Sequence, residues 1–170
     1  MYMHTARTPY FWDLDTDIQE TEDNVKPIKV FVIGENKTGK SSLIQRIVNN
    51  SFTLSYTETK AVEIYRMKTI ADIQYQFVDI PPNTASFPAN VKASAGDAVI
   101  LMMSGNSTTE FSNQIWDKFF KRLACNLWIV YNSIYREVPP NNQWFQVDLL
   151  ANAGVVELLY SIQHKLRPLY

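Results

Sequence analysis

The chain has 170 residues, 46% of them hydrophobic, and a formal net charge of -1. That length fits one α/β domain with a substantial core. No apolar stretch approaches the roughly 18 residues of a membrane span, no apolar h-region marks a secretory signal, and no dense basic run argues for a nucleic-acid surface. Cys125 is the single cysteine. It has no internal disulfide partner, and its apolar neighbours suggest a buried thiol in a cytoplasmic or other reducing compartment. His4 and His164 lie far apart in sequence, so no Cys/His metal cluster is visible.

Residues 1–27 read as an N-terminal extension and 28–170 as the main domain. Asp13, Asp15, Asp17, Glu20, Glu22 and Asp23 make the extension acidic. Tyr10, Phe11 and Trp12 are its exception. Three adjacent aromatics are costly to leave in water, so they either fold back onto the domain or bind a partner, with folding back favoured.

The apolar run Ile28 to Ile33, broken only by Lys29, predicts the first, central strand. Lys40 to Asn49 predicts a helix, ended by Asn49-Asn50-Ser51. After a loop from Phe52 to Lys60, Ala61–Met67 and Ile70–Ile80 both alternate and predict a hairpin across Lys68-Thr69. Pro81-Pro82-Asn83 stops the second of these strands, and a loop runs on to Pro88. Asp97 to Met103 reads as a buried parallel strand. Ser107 and Glu110 form a capping box for a helix with Phe111, Ile115, Trp116, Phe119, Phe120 and Leu123 on its apolar face. Leu127–Tyr131 and Trp144–Val147 predict two more strands, and Val155 to Leu166 a terminal helix. Strands linked by helices imply a mostly parallel, covered sheet, with the hairpin adding an antiparallel strand at an edge.

Between the first strand and the first helix, Gly34-Glu35-Asn36-Lys37-Thr38-Gly39-Lys40-Ser41 fits G-x-x-x-x-G-K-[ST], the phosphate-binding P-loop. Gly34 and Gly39 permit backbone angles that other residues resist, so successive N–H groups can converge on a phosphate at a helix N-terminus. Lys40 would reach the terminal phosphates and Ser41 would offer its hydroxyl to Mg²⁺. The competing reading is a chance Gly-Lys turn before a surface helix; the strand–loop–helix context favours the motif.

With these residues in place, the chain resembles the small GTPase family of the Ras/Rab type over about residues 28 to 167. The resemblance implies a P-loop NTPase fold, a mostly parallel six-stranded sheet with flanking helices. A family threonine that senses Mg²⁺ and the γ-phosphate lies about eighteen residues after the P-loop serine, which gives Thr59. In the same register Phe52 takes the place of an aromatic that stacks near the base, and Tyr56 that of a tyrosine covering the phosphates.

Two motifs depart from the family. Its Asp-x-x-Gly, usually followed by Gln, aligns with Asp79-Ile80-Pro81-Pro82-Asn83. Asp79 is well placed to hold Mg²⁺ through water, but Pro82 has no N–H to offer the γ-phosphate. Asn83 is shorter than the water-orienting Gln. The guanine-reading Asn-Lys-x-Asp aligns with Asn132-Ser133-Ile134-Tyr135, where only the Asn survives, so preference for guanine loses its main energetic source. Asp148 is a conceivable substitute contact. No C-terminal cysteine offers a prenylation site.

The resemblance therefore implies nucleotide contacts from Gly34, Asn36, Lys37, Thr38, Gly39, Lys40, Ser41, Ser42, Phe52, Thr59 and Asn132. It implies Mg²⁺ held through Ser41, Thr59 and Asp79, with GTP or GDP as the ligand and another nucleotide possible. No residue is assigned a catalytic role. The expectation is an atypical G domain that binds nucleotide with weak or no hydrolysis and acts through protein partners, without nucleic acid, transmembrane segment or lipid anchor. The alternatives are a nucleotide-free pseudo-GTPase serving as a structural subunit, and an active GTPase that needs groups from a partner.

Overall fold

A computed structural model describes residues 12–13, 26–69, 72–82, 97–104, 126–133 and 145–167. In chain order the elements are β1 (Trp12–Asp13), β2 (Ile28–Gly34), α1 (Lys40–Asn49), β3 (Glu63–Thr69), β4 (Gln74–Asp79), β5 (Ala98–Ser104), β6 (Asn126–Asn132), β7 (Phe145–Val147) and α2 (Val155–Leu166). The strands form one sheet in the order β1-β3-β4-β2-β5-β6-β7. The pairs β2–β4, β2–β5, β5–β6 and β6–β7 are parallel. The β3–β4 and β1–β3 pairs are antiparallel.

β2 lies inside the sheet, which explains its composition. A strand with neighbours on both sides and cover on both faces has no wet side, so apart from the half-buried Lys29 near its start its side chains are apolar in both phases of the alternation. Val30 and Val32 point to one core, with Phe31 and Ile33 on the other. The first core also takes Leu43, Ile44 and Ile47 of α1 and Leu158, Leu159 and Ile162 of α2, so both helices pack on the same face. Their buried residues recur at helical spacing, which makes one apolar stripe on each. On the opposite face, Val78, Ile80, Val99, Leu101 and Met103 join Phe31 and Ile33 in a second buried cluster.

The expected mostly parallel sheet with its antiparallel hairpin is present, with two differences. A seventh strand adds to the expected six and takes the edge position expected for the hairpin strand β3: Trp12 pairs with Thr69 and Asp13 with Lys68. The acidic extension has no alternating apolar pattern, so this backbone pairing left no periodic signal. The hairpin turn also falls later than Lys68-Thr69. Lys68 still pairs with Gln74, and Thr69 closes the turn by donating its N–H to the Ile73 carbonyl at 2.9 Å. Its Oγ1 accepts the Ile73 N–H at 3.1 Å, and Asp72 takes the left-handed angle the turn requires, φ 58°. A threonine hydroxyl can terminate a strand in this way, and the alternation alone does not register it.

The expected Ser107-capped helix, the loop after Pro82, Cys125, Tyr10 and Phe11 lie outside the described residues. Among the described residues, no helix is long and apolar enough to cross a membrane.

Candidate functional site

The C-terminal ends of β2, β4, β5 and β6 surround the loop that carries the glycine-lysine motif. In open α/β sheets this is the edge where ligands bind. The loop leaves β2 at Gly34 (φ 154°), passes Lys37 (φ 58°) and enters α1 through Gly39 (φ 96°). A Cβ on Gly34 would lie 2.5 Å from the Met102 carbonyl oxygen, and one on Gly39 2.6 Å from Nδ2 of Asn132. Both positions therefore demand glycine for space as well as for backbone angle. The Thr38 hydroxyl braces the loop from inside, donating to the Glu35 carbonyl at 2.9 Å. Asn132 braces it from β6, with Nδ2 donating to the Thr38 carbonyl at 3.3 Å.

Lys40 is the first residue of α1 and is buried. Its Nζ donates to the carbonyls of Gly34 at 3.0 Å and Glu35 at 2.9 Å. Burial lowers its pKa to about 8, against the opposing pull of the Asp79 and Glu35 charges. An ammonium held this way is a cation with little water around it, and an anion arriving at the loop mouth would relieve that deficit.

Beside it is a cluster of oxygens from three elements. Ser41 Oγ from α1 lies 2.5 Å from Oδ2 of Asp79 at the end of β4, and 2.8 Å from Oγ1 of Thr59 in the loop before β3. Thr59 Oγ1 is 3.5 Å from the same Asp79 oxygen. Asp79 is fully buried. Burial pushes its carboxyl pKa up, while the Ser41 hydrogen bond and the Lys40 charge pull it down. Its second oxygen, Oδ1, has no hydrogen-bond partner. A buried carboxylate oxygen without a partner, next to two hydroxyls, is a hard-oxygen set that suits a small divalent cation completing its shell with water. The set contains a single carboxylate. Accordingly, no group of three or more His, Cys, Asp or Glu side chains suited to a metal occurs among the described residues.

These residues open on a cleft of about 560 Å³. Asn36, Lys37, Gly39, Lys40, Ser41, Ser42, Phe52, Thr59 and Asn132 line it. Thr38 is buried behind the loop wall, Gly34 forms the loop's root, and Asp79 lies beneath Ser41 and Thr59. Tyr56 crosses the mouth, its hydroxyl donating to Asn36 Oδ1 at 2.9 Å and its ring 5.6 Å from the Lys37 ammonium. Pro82 lines the same cleft.

Asp148, the conceivable substitute base contact, is not among the residues that line this cleft. Its Oδ1 accepts the Ala151 N–H at 2.9 Å, and its backbone pairs with Ala153 in a tight turn. Ser133, in the motif where the family has lysine, turns its hydroxyl to the Val147 carbonyl at 3.1 Å. Ile134, Tyr135 and Asn83 lie outside the described residues.

Sequence reasoning missed Ser104 and Gln45, which line the cleft, and Arg46, which stands behind Phe52. Ser104 carries no signal of its own at the end of an apolar strand. Arg46 is the basic residue of the last turn of α1, a position that ordinarily reads as a helix-end charge.

No curated protein matches the chain. Residues 29–134 match the family model described as Ras of Complex, Roc, domain of DAPkinase. The matched span holds the phosphate loop, Thr59, Asp79 and Asn132, and it covers well over half of the chain. The Ras/Rab resemblance is thereby placed in a different branch of the same superfamily: the chain belongs to the Roc family of Ras-like G domains.

Proposed function

We propose that this Roc domain binds a nucleoside di- or triphosphate together with Mg²⁺, GDP or GTP foremost, hydrolyses it weakly or not at all, and acts by presenting a surface to protein partners. The observation that carries the reading is the Ser41–Thr59–Asp79 oxygen cluster beside the buried Lys40, in a loop that only glycine can form. Lys40 and the loop N–H groups of residues 36–41 would hold the phosphates. Ser41 and Thr59 would hold Mg²⁺ directly, and Asp79 through water, with Oδ1 as the acceptor for that water. When bound, the metal supplies charge neutralisation at the phosphate oxygens. Phe52 and Asn132 also line the cleft, and a base would stack against the Phe52 ring.

Weak hydrolysis follows from Pro82. It lines the cleft and has no N–H. Nearly all catalysis of phosphoryl transfer is positioning and electrostatic stabilisation, so a missing donor there removes rate, together with any preference for the third phosphate. Exposed Leu54, Tyr56, Val62 and Ile64 around the Thr59 loop support contact with a protein partner.

A nucleotide-free structural subunit is the second reading. It is favoured by the inward bonds of Lys40 to Gly34 and Glu35, which close the loop on itself. Acid extraction of the purified chain followed by ion-exchange chromatography separates the two. The proposal expects a nucleotide peak near one per chain, and its base identifies the ligand. An empty supernatant from protein that also fails to take up added nucleotide supports the second reading.

A further inference from the structure

Phe52 needs a support to serve as a flat wall of the cleft, and the structure gives it one in Arg46. The guanidinium carbon is 5.6 Å from the Phe52 ring centroid. The same group donates to three backbone carbonyls. Nε and Nη2 reach Leu149 at 2.9 and 2.5 Å, Nη2 also reaches Leu150 at 3.1 Å, and Nη1 reaches Asn50 at 3.4 Å. Asn50 caps α1 in a left-handed conformation, and its Oδ1 accepts from Asn152 Nδ2 at 3.3 Å. Leu149 is fully buried and sits against Gly39, 3.2 Å from where a Cβ would stand.

One side chain thus joins the end of α1, the loop after it, and the turn at residues 148–153, which itself backs the phosphate loop. A planar fork with five donors can bond several carbonyls and still show a face to an aromatic ring; a lysine ammonium cannot do both.

We propose that Arg46 is a positioning residue. It fixes the Phe52 ring as the wall against which a ring-bearing ligand stacks, and it couples that wall to the 148–153 turn. The ligand part of this inference rests on the nucleotide reading above; the coupling does not. Arg46 lies outside the cleft lining and reaches the phosphate loop only indirectly, through the Leu149 backbone, so its effect falls chiefly on the part of a ligand that lies beyond the phosphates.

Two measurements on the full chain test it. In hydrogen exchange of the ligand-free protein, Arg46→Ala should speed exchange in both the 51–60 loop and the 148–153 turn while leaving β2 and α2 unchanged. Arg46→Lys, which keeps the charge without the fork, should do the same and serves if the alanine variant does not fold. Unchanged exchange in either segment overturns the coupling. In calorimetry with Mg²⁺, Arg46→Ala should weaken GDP and ADP binding about tenfold while holding inorganic pyrophosphate within about twofold of wild type. Equal loss on nucleotide and pyrophosphate overturns the positioning role. A wild-type chain that binds neither overturns the nucleotide reading, and the exchange pattern then decides the coupling alone.

Discussion

Ser41 and Asp79 are 38 residues apart in sequence, and their side chains meet at 2.5 Å. The bond joins the first turn of α1 to the end of β4 and leaves the other Asp79 oxygen, Oδ1, without a partner. Burial disfavours the Asp79 carboxylate, the Ser41 hydrogen bond and the Lys40 charge offset part of that cost, and a bound cation would offset more of it. Asp79→Asn should therefore melt at or above the wild-type temperature without ligand, and lose most of the stabilisation that Mg²⁺ and nucleotide give. Paired melting curves check both halves. A ligand-free melt several degrees below wild type would mean that Asp79 is chiefly structural.

Lys40 gives a pH dependence of known sign. Its folded pKa is lowered to about 8 by burial, against an ordinary lysine value of about 10.4 in the unfolded chain. Below the folded value both states are protonated and the burial penalty is present in full. As pH rises from about 8 toward the unfolded value, the folded state releases the proton first and the penalty is relieved. The ligand-free chain should gain stability relative to Lys40→Met between pH 8 and about 9.5. Urea midpoints of the two proteins across that window measure it, and parallel curves would show that Lys40 does not titrate there.

Gly39→Ala should destabilise by about 1–3 kcal/mol, since it forces a side chain into a left-handed angle. It also drives the new methyl against Nδ2 of Asn132, 2.6 Å away. Adding Asn132→Ala removes that obstacle but not the strain, so the double variant should recover part of the loss. The double-mutant cycle from denaturation midpoints gives the coupling, and strict additivity would place the two residues out of contact.

Much of this arrangement was legible before the fold was known. The glycines, Lys40 and Ser41 announce themselves because a phosphate loop needs those types at that spacing. Thr59 and Asp79 could be placed only by register, and the fold brings both to Ser41. What stayed hidden depended on long-range contact. The Trp12–Asp13 strand rests on backbone pairing that no side-chain pattern encodes. The brace of Asn132 on Thr38 joins residues 94 positions apart, and the bonds of Arg46 to Leu149 and Leu150 span 103 and 104. Asp148 was a conceivable base contact from the sequence, because its bond to the Ala151 N–H inside its own turn depends on a local geometry that a single acidic residue does not reveal.

Pro82→Gly restores a backbone N–H at the cleft wall. Wild type should bind di- and triphosphate with similar affinity, and the variant should favour the triphosphate by roughly tenfold, the value of one charge-assisted hydrogen bond. Competition between GDP and a non-hydrolysable GTP analogue reads this ratio. An unchanged ratio would show that residue 82 does not face the third phosphate.

The most direct test of the account is a melting curve of chain first shown to be nucleotide-free, with and without Mg²⁺ and GDP, GTP, ADP or ATP. At ligand concentrations about a hundredfold above the dissociation constant, binding adds about 2.7 kcal/mol. In a domain of this size that is a rise of roughly 5–10 °C. The account predicts such a rise with at least one nucleotide, dependent on Mg²⁺ and abolished by Lys40→Ala. Equal melting temperatures under all of these conditions would contradict it.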